Sequence, residues 1–267
     1  MIPSCITHES ADAYKAKTGE YLTSHRLADF RKSPLLYHWK RQGLAKDEDR
    51  PAYLVGRAAH VLILEGRKRF EQEYAIGGPI NPRTGQPFGA GTKAFAEWSE
   101  AQGRPVLTTE QAQLVEHIHA GVMAHDLAKR MLAGGVAEGV IRCIYRGVAS
   151  QIRIDWYSPQ FGVVDLKTAD DLTWFESDAR RFGYAHQLAF YRGVFATAAN
   201  KTPLDVPVHL IAVEKKEPFR CGVWRLGEDV LGIAQKDNEQ AIDRLKQCMQ
   251  NAAWPTGYEQ VRAFDWL

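Results

Sequence analysis

Asp155, Asp165 and Lys167 are the residues from which chemistry can first be argued. Nine residues separate the two acids, and the lysine follows the second acid by two positions. They lie in S-Q-I-R-I-D-W-Y-S-P-Q-F-G-V-V-D-L-K, two short apolar runs around Ser158-Pro159-Gln160-Phe161-Gly162. Pro and Gly within five residues predict a turn, so the stretch reads as a β-hairpin. Side chains alternate faces along a strand. The pattern therefore places Arg153 and Asp155 on one face with Val163, Asp165 and Lys167. Ile152, Ile154, Trp156, Val164 and Leu166 form an apolar underside. Carboxylates close together on paired strands repel unless a cation lies between them. A divalent ion meets that need, because carboxylates and backbone carbonyls are ligands that Mg²⁺ prefers. Such an ion polarises a phosphodiester and acidifies water, and an ammonium on the same face stabilises the charge that develops. The competing reading is an exposed edge hairpin with a solvated charged face. The D-x-K spacing alone does not decide between them.

The elements that must hold these residues can be read in order. Residues 1–20 read as a loosely held arm. Thr23-Ser24 opens a helix that stops at Ser33-Pro34, and Pro34 suits the first turn of a second helix, Leu35 to Gln42. From Ser24 to Lys46 there are six Lys/Arg against one acid, with Tyr37, His38 and Trp39 interleaved. That is either a phosphate-tracking surface or a solvated helix pair with Tyr37 and Trp39 in the core. Pro51 to Gly66 is the next predicted helix. His60 lies on its inner side, where the ordinary role of a histidine is a hydrogen-bonded core residue. Residues 70–76 suit a strand. Gly77 to Gly91 holds five glycines and three prolines, which predicts a long loop of the functional kind. A helix follows over about Thr92 to Gln102. The capping-box pattern Thr108-x-x-Gln111 then opens a long helix to about Leu132. His117, His119 and His125 on it read as surface or packing residues. Ala137 to Tyr145 joins the hairpin in an antiparallel meander, with Glu138 near its start. Thr173-x-x-Glu176 predicts another capped helix, and Tyr184 to Ala199 a strong one. Val206 to Glu214 and Arg220 to Leu226 read as strands, and Gly227 to Asn251 as an amphipathic helix. The aromatic tail (Trp254, Phe264, Trp266) is expected to dock on the body.

Composition narrows the class. At 267 residues the chain suits one α/β domain with additions. A 45% apolar and 25% charged composition is that of a soluble globular protein. No apolar run approaches the roughly 20 residues of a membrane span. The start, Met-Ile-Pro-Ser-Cys, is not that of a signal peptide. The four cysteines include no C-x-x-C pair. That argues against a zinc or iron–sulfur site and for a reduced, cytoplasmic protein. The net charge of +2 neither announces nor excludes a nucleic-acid partner, because a local basic surface suffices to hold phosphates.

Three further motifs surround the hairpin. Gly56-Arg57-Ala58-Ala59-His60 precedes it, Gln187-Leu188-Ala189-Phe190-Tyr191 follows it, and Asp165-Leu166-Lys167 lies between them. The ordered set resembles the PD-(D/E)XK nuclease superfamily, with GxxxH and QxxxY as in its RecB-type branch. Its nearest likeness is to the exonuclease VIII (RecE) nuclease-domain and lambda-exonuclease-like family, over roughly Leu22 to Leu226. The resemblance implies an α/β restriction-endonuclease-like core, a central mixed β-sheet flanked by helices. It also implies one nuclease domain over 1–267: a helical part at about 21–132, the catalytic sheet and helices at 135–226, and a C-terminal helix and tail at 227–267. Asp155, Asp165, Lys167, Gln187, His60 and Tyr191 become the expected catalytic set. Asp155, Asp165, the Leu166 carbonyl, His60 and Glu138 become the expected metal ligands, for two Mg²⁺ ions that Mn²⁺ would replace. Gln187 is expected to hold water, phosphate or Lys167, and Tyr191 to brace its helix. Arg26, Arg31, Lys32, Arg57 and Arg153 are the expected DNA contacts. The implied activity is digestion of one strand of linear double-stranded DNA, 5′ to 3′, leaving 3′ single-stranded tails for phage-type recombination. The implied partners are DNA ends, a single-strand annealing recombinase and further copies of the chain in a trimeric or tetrameric ring, in a bacterial or phage-encoded setting. A non-cutting DNA-end-binding module and a structure-specific or single-strand endonuclease are the alternatives.

Overall fold

A computed structural model describes residues 2–47 and 52–263. The expected helix start at Pro51 and the tail residues Phe264 and Trp266 lie outside them. The helices before the main sheet are α1 (Ala11–Ala16), α2 (Ser24–Lys32), α3 (Pro34–Arg41), α4 (Ala52–His60) and α5 (Arg67–Glu73). Two short parallel strands, β1 (Ala75–Ile76) and β2 (Val106–Leu107), flank α6 (Lys93–Ala101). α7 (Thr109–Ala124) and α8 (Asp126–Met131) lead into the meander β3 (Val136–Tyr145), β4 (Val148–Ser158) and β5 (Gly162–Ala169). Next come α9 (Phe175–Arg181), α10 (Tyr184–Ala198), β6 (Val208–Glu214), β7 (Cys221–Arg225) and α11 (Glu228–Asn251). Among the described residues no helix is long and apolar enough to cross a membrane.

The five main strands form one mixed sheet in the order β3-β4-β5-β6-β7, with β5 and β6 parallel and the other pairs antiparallel. A parallel pair needs a crossover, and α9 and α10 supply it. Helices cover both faces. Leu188, Val194 and Phe195 of α10, with Leu231 and Leu245 of α11, pack on one side. Ala58 and Ala59 of α4, with Val115, Ile118 and Val122 of α7, pack on the other. A sheet covered twice needs apolar residues at successive positions, which is why β6 is buried along its whole length.

Local chemistry sets most boundaries. The Thr23 and Ser33 side chains cap α2 and α3, and Pro34 occupies the first turn of α3. Thr108 and Gln111 form a reciprocal capping box on α7. After His60 the helix widens into one π turn, Val61–Glu65, closed by the Gly66 N–H on the Val61 carbonyl at 3.1 Å. Such turns are often found at functional sites.

Several expectations are corrected. Residues 70–76 are mostly helix α5, because Phe70 points into the core at helical spacing, and only Ala75–Ile76 is strand. The long helix from Thr108 breaks at His125, whose Nδ1 accepts from the Ala128 N–H at 3.3 Å and starts α8. Asp171, not Thr173, caps the segment before α9. Tyr37 is core while Trp39 is exposed. Trp254 docks as expected, stacking on His38 with ring centroids 4.5 Å apart. The arm is pinned rather than loose. Thr7 exchanges two backbone bonds of 2.9 Å with Val140 of β3, and Arg142 grips Glu9.

The hairpin faces also differ from strict alternation. Ile152 and Ile154 pack with the α10 side, whereas Trp156, Val164 and Leu166 pack with the α4/α7 side. The flip occurs at Asp155. There the β3–β4 register runs from Ala137↔Trp156 to Gly139↔Ile154 and leaves out the pair Glu138/Asp155. Glu138 has φ 53°, the left-handed region, which is strained for a residue with a side chain.

One glycine controls how closely α10 lies on the sheet. A Cβ at Gly193 would sit 2.5 Å from the Tyr145 hydroxyl and 2.7 Å from its ring. Tyr145 cannot easily yield, because it packs edge-on against Phe190 and its hydroxyl donates to Glu239 at 2.9 Å. Gly193→Ala is therefore expected to destabilise the fold by about 1–3 kcal/mol, the usual cost of overpacking. Urea unfolding would measure this, and an unchanged midpoint would contradict the packing.

Candidate active site

The site begins where the sheet opens. Antiparallel pairing of β4 with β5 runs through Ser158↔Gly162, Tyr157↔Val163 and Trp156↔Val164, and goes no further. At the split the Asp155 carboxylate replaces the missing strand partner: its Oδ2 accepts the Leu166 N–H at 2.8 Å. Upstream of the split β4 takes a partner from elsewhere. The Leu22 N–H donates to the Ala149 carbonyl at 2.8 Å, and the Gln151 N–H donates to Leu22 at 2.9 Å.

Asp165, fully buried, sits on the α10 side of β5. Its Oδ2 lies 2.5 Å from the Lys167 ammonium, and its Oδ1 accepts from Gln187 Nε2 at 3.3 Å. The same Gln187 nitrogen donates to the Tyr191 hydroxyl at 3.2 Å. Lys167 also lies over the Tyr184 ring, 4.9 Å from its centroid. Tyr184, Gln187 and Tyr191 are spaced three and four apart, so one face of α10 presents all three. Gln187 thus holds Asp165, where water, phosphate or Lys167 had been expected.

On the other side of the split, His60 Nδ1 lies 3.7 Å from Asp155 Oδ2. His60, Glu138 and Asp155 offer ligand atoms that all lie within 4.8 Å of one another. They come from α4, β3 and β4, and Asp165 and Leu166 stand next to them on β5. Glu138 is aimed by its left-handed backbone and held by Arg153, Nε to Oε2 2.6 Å. A second triplet, His25, Asp29 and Asp47, is different in kind. There Lys40 already lies between the acids, 2.7 Å from Asp29 and in contact with Asp47.

The electrostatics show how costly the arrangement is without a cation. Burial, then the Asp155 charge, pushes the Glu138 carboxyl up to about 8, against the pull of Arg153. Burial and Asp155 push Asp165 up to about 6. Asp155 itself is raised by burial, opposed by Lys167 and the Leu166 N–H. Burial, then Lys167, lowers His60 to about 4, which leaves a neutral imidazole with a lone pair to donate. Burial alone would lower Lys167, but Asp165 and Asp155 outweigh it and keep it an ammonium. Carboxylate oxygens that repel one another beside a neutral imidazole fit a divalent cation.

A cavity of about 880 Å³ opens over this floor, with His60, Glu138, Arg153, Leu166 and Lys167 in its wall. Of the expected DNA contacts, Arg57 and Arg153 line it. Arg26, Arg31 and Lys32 do not. Arg26 donates to the Tyr21 carbonyl at 3.0 Å and to that of Thr18, and Arg31 donates to Asn238 at 3.0 Å. Lys32 is exposed away from the cavity. Tyr184, Tyr53 and Lys15 were not foreseen in the wall. The three-residue step from Tyr184 to Gln187 was the available signal for Tyr184. Nothing local to Lys15 marks it.

The family model for the PDDEXK-like domain of unknown function (DUF3799) matches residues 24–265. Among solved structures, a provisionally assigned exonuclease from Eubacterium rectale superposes with a TM-score of 0.67, over 98% of this chain and 97% of its own, at 16% identity. That likeness carries the fold. The structure of LHK-Exo in complex with dAMP covers 91% of this chain and 96% of its own at 12% identity, with a TM-score of 0.35 that supports no argument. No curated protein matches the sequence.

Glu138 gives a pH prediction. In the folded chain it keeps its proton to about 8, whereas unfolded it releases it near 4.5. The folded state then binds more protons between those values, so its stability is highest below the lower value and falls as pH rises toward 8. In EDTA the melting temperature should decline from pH 5 to 8. Glu138→Gln should flatten the part between pH 6 and 8, leaving below pH 6 the part due to Asp165. Parallel curves for the two proteins would refute this assignment of the titrating group.

Proposed function

Because the chain belongs to the PDDEXK-like family (DUF3799) and has the PD-(D/E)XK nuclease fold, we propose that it is a Mg²⁺-dependent exodeoxyribonuclease that digests one strand of linear double-stranded DNA. The observation that carries this reading is the opening of β4 from β5. It gathers His60, Glu138 and Asp155 on one side and the Asp165–Lys167 pair on the other, with His60, Glu138 and Lys167 in the wall of one solvent-open cavity.

His60, Glu138 and Asp155 would hold the ion, with Asp165 and the Leu166 carbonyl beside them. The N–H and C=O of one strand residue point to the same side, so the Leu166 carbonyl faces the gap in which its N–H meets Asp155. A divalent cation there supplies Lewis-acid polarisation of the scissile phosphodiester. Mn²⁺ takes the same ligands and should substitute. Lys167, held as an ammonium by Asp165, places a positive charge where the phosphate becomes more negative. Gln187 fixes the Asp165 carboxylate, and Tyr191 fixes Gln187. Tyr184 limits the swing of Lys167. Arg153 keeps Glu138 aimed. Arg57, exposed at the cavity, would meet the DNA backbone. In this reading the whole chain acts as one nuclease domain.

The finer features rest on the likeness of motif order to exonuclease VIII. They are 5′-to-3′ polarity, 3′ single-stranded tails, a single-strand annealing recombinase as partner, and a ring of three or four copies threaded by the DNA. Linear duplex with distinct 5′ and 3′ labels, beside a covalently closed circle, separates the possibilities. With Mg²⁺ the 5′ label should be released first and the circle left intact, and EDTA should stop release. Cutting of the circle would make the protein an endonuclease. Metal-independent binding with no nucleotide release would make it an end-binding module.

Lys167→Ala and Asp165→Asn should each lower the rate of nucleotide release by about 100-fold or more, the usual cost of removing a group that stabilises transition-state charge. Circular dichroism should show the fold retained. Full activity in either variant would defeat the assignment.

A further inference from the structure

The family match begins at residue 24, yet residues before it reach the catalytic cavity. Ala11 and Lys15, one turn apart on α1, lie in its wall. The segment that carries them is fixed at several points. Thr7 pairs with Val140, Arg142 grips Glu9, and Gln151 donates to the Tyr14 carbonyl at 3.3 Å. Arg26 donates to the carbonyls of Thr18 and Tyr21, so a cation that the sequence offered to DNA instead ties down the arm. On its inner side α1 places Tyr14 near the catalytic helix. Burial and then the neighbouring Tyr191 raise the Tyr14 hydroxyl.

The charges of the cavity wall show what this positioning provides. Most of its cations are already in contact with acids. Arg153 is 2.6 Å from Glu138, Lys167 2.5 Å from Asp165, and Arg69 3.0 Å from Glu73. Lys215 is 2.8 Å from Asp170, and Arg181 is 3.1 Å from Asp178. Arg57 is also engaged. Lys15 is exposed and, among the described residues, its ammonium meets no acid. A polyanion entering the cavity gains most from a cation that need not first give up a partner. It also gains more from one whose backbone is already fixed, because less ordering entropy is lost on contact.

We propose that Lys15 is a phosphate-contacting residue of the substrate site, delivered by the N-terminal arm from outside the family domain. It holds a backbone phosphate of the strand that occupies the cavity and so adds to binding without taking part in cleavage. This assignment rests on the nuclease reading given above. It makes Lys15 a contact to backbone rather than to bases, so its effect is the same for every sequence.

The test compares wild type, Lys15→Ala and Lys15→Arg on a fluorescein-labelled duplex oligonucleotide. Affinity is measured by anisotropy in EDTA across a salt series, and steady-state hydrolysis is measured in Mg²⁺. Lys15→Ala should reduce the slope of log affinity against log salt by about one unit, the change expected for one lost phosphate contact. It should raise KM with kcat within about twofold, as loss of uniform binding does. The loss should be equal on two unrelated sequences, and Lys15→Arg should restore the slope. Its melting temperature should match wild type, since the side chain is exposed. A purely structural Lys15 would leave the salt slope unmoved, and that result, with a wild type that binds and cuts DNA, overturns this assignment alone. A wild type that neither binds nor cuts removes the nuclease reading and this assignment together.

Discussion

Three carboxylates, those of Asp155, Asp165 and Glu138, are crowded at one place in the sheet with little water to screen them. Like charges so placed raise one another's pKa and oppose folding. Most features of the surrounding structure can be read as responses to that repulsion. Lys167 offsets Asp165, Arg153 offsets Glu138, and the Leu166 N–H offsets Asp155. Each response is partial, because Glu138 is still held up near 8. The unmet remainder is what a divalent cation would relieve. The left-handed backbone at Glu138 belongs to the same economy, since it adds strain of order 1–3 kcal/mol to aim a group already costly to bury.

Opening a sheet to make room for such a cluster has its own cost. Unpaired backbone groups in a covered sheet lose the hydrogen bonds they had with water. Here the two sides of the opening are repaired differently. A side chain, Asp155, satisfies β5, and a distant main-chain segment at Leu22 satisfies β4. The start of the chain is therefore part of the sheet's hydrogen bonding, although it contributes no strand to it. Gly193 works in the same direction from the α10 side, letting the helix lie close enough for Gln187 to reach Asp165.

Much of the site was legible because it is written in local spacing. His60 at the end of a helical turn, the D-x-K of a strand, and the Gln187/Tyr191 pair at i,i+4 all keep their meaning wherever the elements lie. Capping at Thr23, Ser33 and Thr108 was legible for the same reason. What escaped depends on contacts between residues far apart in the chain. Nothing near Arg26 says that it will hold the arm, and nothing near Lys15 says that it will reach the cavity. The face of Ile152 and Ile154 was misread because alternation assumes an unbroken ladder, and the break at Asp155 is visible only once Glu138 lies opposite it. Residues 70–76 were misread because Phe70 and Tyr74 fit both a strand and one side of a short helix.

The π turn after His60 carries one residue more than a regular turn would use. Each residue of an α-helix rotates the next by about 100°. The turn thus sets the angular phase between two surfaces of one continuous rod. Tyr53, Arg57 and His60 on its first part face the cavity, and Leu62, Ile63 and Leu64 just beyond it sit in the core. Loss of a single residue between 61 and 65 would remove a residue of the core or of the cavity wall and also put what remains on either side out of phase by more than a quarter turn. Either the core would then be satisfied or His60 would reach Asp155, but not both. Insertions and deletions are usually tolerated in loops and penalised in helices for reasons of stability. In this segment the length of five residues is fixed instead by a rotational match between the cavity wall and the core.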